Sequence, residues 1–181
     1  MSRIVFRSPS TFVAVTLAFL FMTTSFLASF AQETGNQAEM ERLERQASEL
    51  VADGDSGGAA LAIGKAAMMA GIMARQESEK SAKDVFLGIE ALFRTQEHGY
   101  RAIALFEQAG GQPPAPTGAC QLLSLATQHS HNAQTVFSNM PISNQSDSTH
   151  ISHRYFAQAQ EWTEIIRELQ TDFACSALIP H

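Results

Sequence analysis

From residue 37 onward, apolar side chains recur at steps of three and four along the chain, and no two-residue alternation of strand type interrupts them. That spacing predicts an all-α protein. Over about 37–52, Met40, Leu43, Ala47 and Leu50 share one helical face, and Asn36 with Glu39 has the spacing of a capping box. The run Asp53-Gly54-Asp55-Ser56-Gly57-Gly58 then breaks the helix and supplies a cap for the next. Over about 58–76, Lys65 is the only charged residue between Ala59 and Ala74, which predicts the central, most buried helix. Its residues Ala60, Gly64, Ala67, Gly71 and Ala74 make a face with almost no side chains, suited to close approach by a neighbour. Leu61, Met68, Met69 and Ile72 make a bulky face.

A third helix is expected over about 81–109, opened by the capping pattern Ser81-x-x-Asp84 and carrying Val85, Ile89, Leu92, Gln96, Gly99, Ile103 and Phe106 in one stripe. Phe86, Phe93 and Tyr100 widen that stripe, and polar Thr95 to Gly99 marks a place where the helix could kink or divide. Gly110-Gly111 ends it, and residues 112–116 form a proline-rich linker. A fourth helix over about 117–139 sets Leu122, Ala126, His129, Ala133, Val136 and Met140 in line. A fifth over about 149–175 does the same with Ile151, Tyr155, Ala159, Trp162, Ile166, Leu169 and Phe173. The short turn between the last two makes them antiparallel neighbours, so the expected architecture is an antiparallel bundle of four to five helices. That topology brings the start of one beside the end of the other. Cys120 and Cys175, the only two cysteines, lie at those places and are expected to form a structural disulfide.

The N-terminus adds an address. Arg3 and Arg7 precede an apolar core from Phe12 to Met22, and Ser29-Phe30-Ala31 offers small residues at the positions a signal peptidase reads. The expected division is a signal peptide over 1–31 and a single helical domain over 32–181, exported to a periplasmic or extracellular space where a disulfide persists. Retention of residues 12–30 would instead leave a membrane anchor. Ten Lys and Arg against eighteen Asp and Glu then remain, a net charge of −8, which repels nucleic acid phosphates.

Two short resemblances bear on function. Gly54-Asp55-Ser56-Gly57-Gly58 resembles the segment around the nucleophile of trypsin-like serine proteases and fits the G-x-S-x-G of α/β-hydrolases, which would make Ser56 catalytic. The protease order requires a histidine before the serine, and the first here is His98; the hydrolase elbow requires a preceding strand, where a helix is predicted. The string is read as a helix breaker, with Asp55 or Ser56 capping the following helix. Phe86, Ile89, Phe93, Ala102, Phe106, Ala109 and Pro114 resemble the spacing of a tetratricopeptide repeat, and a shift of 34 residues finds no second copy. An ordinary amphipathic helical pair accounts for the same residues.

The histidines divide by height along the bundle. His129 and His131 belong to the fourth helix, and His150 lies about 20 Å away on the fifth, so these do not share an ion. Register across the two preceding turns instead predicts a polar layer of Asp55, His98 and His129, suited in type to Zn²⁺ or Cu²⁺. The competing reading makes His129 a core histidine and leaves His98 facing water. With no catalytic constellation in view, the expected function is non-enzymatic: binding a protein partner, or forming part of a cell-envelope assembly. The alternative is a carrier of a small ligand or metal held between helices.

Overall fold

The computed structural model describes residues 35–140 and 147–175; the expected signal peptide lies outside them. All regular structure among the described residues is helical: α1 (35–52), α2 (Ser56–Gln76), α3 (Lys80–Gln108), α4 (Thr117–Ser138) and α5 (Asp147–Asp172). The protein is an all-α helical bundle, and Gln37–His181 belong to one compact unit.

Local sequence chemistry sets the helix ends. Helix α1 is already running at Gly35, so Asn36 lies inside it, and Glu39 bonds Arg42 rather than closing the expected capping box. Gly54, at φ +80°, takes the left-handed conformation that lets the chain turn back, while Asp55 N–H donates to Leu50 O at 2.8 Å. Asp55 then caps α2, its Oδ1 accepting from Gly58 N–H at 2.7 Å. The cap of α3 is Glu79, whose carboxylate takes the N–H groups of Ser81 and Ala82. The expected cap Ser81 sits within the first turn. Polar 95–99 does not divide α3: Thr95 Oγ1 donates to Ala91 O at 3.0 Å, and Gly99 is a seat for Trp162, which lies 2.9 Å from where a Cβ would stand. The stretch that resembles a tetratricopeptide repeat therefore begins with one unbroken helix rather than a helical pair.

Helix α3 is the centre of the bundle. It packs on α2, α4 and α5, whereas α2 and α4 flank it without touching each other. Helix α1 lies over α3 and against α5, where Met40, Val85, Phe86, Ile89 and Tyr155 line a cavity of about 70 Å³. The molecule thus has two layers, α2–α3–α4 and α1–α5. The expectation that the 58–76 helix is the central, most buried one holds in part: a larger share of its residues is buried than in α3 or α4, but α3 is the helix packed on three others, and the reason is the side-chain size of α2. Its buried side is mostly alanine and glycine together with Ile63 and Met73, Gly64 and Gly71 lie against α3, and the opposite stripe points outward. Leu61, Met68 and Ile72 are 63%, 57% and 38% exposed.

Helix α4 shows a second correction. Its buried stripe is Ala119, Leu123, Ala126, Ser130, Ala133 and Phe137: Ala126 and Ala133 are as expected and Met140 is partly buried against the core, while Leu122, His129 and Val136 give way to the next residue along. The apolar doublets Leu122-Leu123 and Val136-Phe137 satisfy either register. Phe137 decides between them, because its ring fills the space over Gly88, 2.7 Å from where a Cβ would stand. On α5 the stripe is as expected, with Tyr155, Ala159, Trp162, Ile166 and Phe173 buried and Leu169 partly so, Ile151 lying outside the described side chains. Cys120 and Cys175 come together at the far end, with Sγ atoms 2.06 Å and Cα atoms 5.4 Å apart. Beside them Phe106 and Phe173 stack at 4.0 Å between centroids, and Ala115 N–H donates to Phe173 O at 2.8 Å.

Candidate functional site

The small face of α2 admits side chains rather than backbone. A Cβ on Gly64 would stand 3.0 Å from the Glu97 carboxyl carbon, and one on Gly71 would stand 2.8 Å from that of Glu90. Two carboxylates of α3, seven residues apart, thus lie over two glycines of α2 with the same spacing. Glu97 is buried and needs cations, which its own helix supplies: Arg94 Nη1 reaches Oε2 at 2.7 Å and Arg101 Nη2 reaches Oε1 at 2.6 Å. Both guanidiniums keep an outer edge in water.

Next to this triad, His98 on α3 and His129 on α4 stack with centroids 5.3 Å apart and ring planes 20° from parallel. The register that places them together was readable from the turn between their helices. Asp55 does not join them. Its carboxylate is spent on the cap of α2, and that end of the helix faces Ala104, Leu105 and Gln108, about two turns further along α3 than His98. The predicted Asp55, His98 and His129 layer is therefore not assembled, and no group of three His, Cys, Asp or Glu side chains able to hold a metal occurs among the described residues. Nor is His129 a core histidine: both imidazoles are half-buried, and the Nδ1 of His98 is buried without a hydrogen-bond partner among the described residues.

Burial is the main force on the two rings, and it lowers both pKa values from 6.5. On His98, Glu97 opposes the shift, while His129, Arg101 and Arg94 add to it. On His129, Arg94 adds to it and Glu97 and Glu90 oppose it. Because the folded values lie below the unfolded one, the unfolded chain takes up more protons as the pH falls through this window. The contribution of these two histidines to stability is full above about pH 6.5 and is lost on acidification below it. Urea midpoints at pH 7.5 and pH 5 should therefore differ, and His98→Phe, which keeps a ring in the stack, should narrow the gap. An unchanged gap in that variant would exclude this source of acid sensitivity.

The other polar clusters are consumed internally. Ser56, the serine of the protease-like string, is the buried first residue of α2. Buried Ser130 bonds Thr163, which also accepts from Gln134 Nε2 at 2.7 Å and donates to Ala159 O at 2.8 Å. Glu44 accepts from the Tyr155 hydroxyl at 3.1 Å and Gln158 Nε2 at 3.2 Å, and pairs with Arg154 at 3.2 Å. His131 and His153 are exposed, and the side chain of His150 lies outside those described.

What the sequence reading missed is the outer face of the α2–α3–α4 layer. Because α2 and α4 do not meet, α3 forms the floor of an open groove of about 370 Å³, lined by Gly57, Leu61, Arg101, Leu105 and Leu122 among others. The exposed stripe Leu61, Lys65, Met68 and Ile72 starts at this groove with Leu61 and continues along α2, and Leu125 is exposed on α4. The signal was present as the bulky side of the 58–76 helix, but periodicity does not say which of two apolar faces is covered. Compared with family models, curated proteins and solved structures, the chain finds no match.

Proposed function

We propose that this chain is an exported, non-enzymatic helical bundle that works by binding a protein partner, in the cell envelope or the extracellular space. The observation that carries this reading is the apolar outer face of α2, where Leu61, Met68 and Ile72 are left in water although the same helix has a well-covered opposite side. Isolated exposed leucines are ordinary; a stripe continuous with an apolar groove marks an interaction surface. Export is supported by the basic and apolar pattern before Ala31 and by a cysteine pair at bonding distance, which persists in oxidising compartments. The carrier alternative rests on the His98–His129 pair alone.

Native mass spectrometry of protein taken from its own source tests both parts. The expected species begins at Gln32, is 2 Da lighter than its reduced form, and travels with a stoichiometric protein partner. A bare monomer retaining a small molecule or metal ion would replace this reading with the carrier, and retention of residues 12–30 would make the protein membrane-anchored.

A further inference from the structure

Charge is divided between the two layers in a way that the net value conceals. Helices α1 and α5 carry nine carboxylates (Glu39, Glu41, Glu44 and Glu49 on α1; Asp147, Glu161, Glu164, Glu168 and Asp172 on α5) against four arginines. Helices α2 and α4, the walls of the outer groove, carry none. In the floor, Glu97 is buried and covered by Arg94 and Arg101, and Glu90 is tucked against Gly71. The outer face of an acidic protein is thus mainly apolar, and its charges are Lys65, the Arg94–Glu97–Arg101 cluster with one positive charge in excess, and the partly exposed Glu90, which leaves a small positive balance. Lys65 sits exposed in the middle of the α2 stripe and enters no ion pair among the described residues, and Arg101 lies at the groove.

Resting on the partner-binding reading, we infer that the groove between α2 and α4 receives an acidic amphipathic helix of the partner. Its apolar stripe lies along Leu61, Met68, Leu105 and Leu122, and its flanking carboxylates meet Lys65 and Arg101. A helix lying on a groove floored by another helix buries apolar anchors spaced three and four residues apart. From Leu61 at the groove to Ile72 the exposed stripe of α2 runs eleven residues, about 16 Å or three turns, which sets the least length of the seated segment. A second copy offering this same face would bring together two surfaces of the same positive balance and would supply no carboxylate beyond the partly exposed Glu90 for Lys65 and Arg101. An anionic membrane is attracted by clusters of about four to eight cations, more than the groove presents.

The test uses purified protein with its bridge intact and a labelled 18-residue helical peptide with leucines at three- and four-residue steps flanked by glutamates. A peptide with lysines in place of the glutamates is the control. Fluorescence anisotropy should show the glutamate peptide binding at least tenfold tighter, with weakening as salt is raised from 50 to 300 mM. Leu61→Glu and Lys65→Glu, both on exposed positions, should each cost at least tenfold while leaving the melting temperature near that of the parent. Equal or tighter binding of the lysine peptide, insensitivity to Leu61→Glu, or no binding of either peptide would overturn the assignment. So would binding only to phosphatidylserine vesicles, or a concentration-dependent dimer that Leu61→Glu abolishes. If the native partner still co-purifies with Leu61→Glu protein, partner binding stands and this surface is not where it happens.

Discussion

Tyr155→Ala is expected to lower the unfolding free energy by about 3–5 kcal/mol, among the largest effects open to a single substitution in this chain. The ring is 1% exposed and meets Phe93 edge-on at 5.7 Å between centroids, so its removal empties the place where α1, α3 and α5 converge. Its hydroxyl also holds the α1–α5 layer together, donating to Glu44 at 3.1 Å while Arg154 lies over the ring at 4.3 Å. Burial and the Glu44 charge raise the Tyr155 pKa, so the hydroxyl remains a donor to Glu44 at any ordinary pH. Tyr155→Phe separates the two contributions. It keeps the ring and deletes the donor, and the expected loss is about 1–2 kcal/mol, since Glu44 retains Arg154 and Gln158. Urea titration followed by far-UV circular dichroism reads both variants. Equal losses in the two would mean that the hydrogen bond, and not the packed ring, fixes α1.

These contacts show where the sequence was legible. On α1 and α5 each apolar stripe is flanked by charged residues, so only one face could be buried and Met40, Leu43, Tyr155, Trp162 and Ile166 were identifiable as core. The proximity of His98 and His129 followed from counting residues away from a short linker. Legibility failed where two faces compete. Helix α2 has no charged face, so its alanine side and its leucine and methionine side were both candidates for burial, and only the flat side could pack close to α3 while leaving room for Glu90 and Glu97. In α4 the doublet Val136-Phe137 left the register open until Gly88 supplied a place for the ring. The outer groove was out of reach for a further reason. It exists because two helices not adjacent in sequence fail to touch, which no local pattern encodes, and the absence of carboxylates from its two walls emerges only once the acids are sorted by helix.

Opening the Cys120–Cys175 link is the second large perturbation, and its mechanism differs, because the bridge acts mainly on the chain when it is unfolded. The two residues are separated by 55 positions, and closing a loop of that length restricts the unfolded ensemble by about 4 kcal/mol. In the native protein the same ends are already held together by the antiparallel packing of α4 on α5, by the Phe106–Phe173 stack and by the Ala115 to Phe173 hydrogen bond. The folded structure should therefore survive reduction with its helical spectrum unchanged, while the urea midpoint falls. Since removing either sulfur opens the same loop, Cys120→Ala, Cys175→Ala and the double variant should lose similar amounts instead of adding, and dithiothreitol should have no further effect on any of them. A double variant costing the sum of the singles would show that the cysteine side chains contribute chiefly as packed surface. The size of the common loss also sets what a reducing compartment would do. About 4 kcal/mol is a large part of the 5–15 kcal/mol by which domains of this kind are stable, so the reduced bundle would persist with a much larger unfolded fraction.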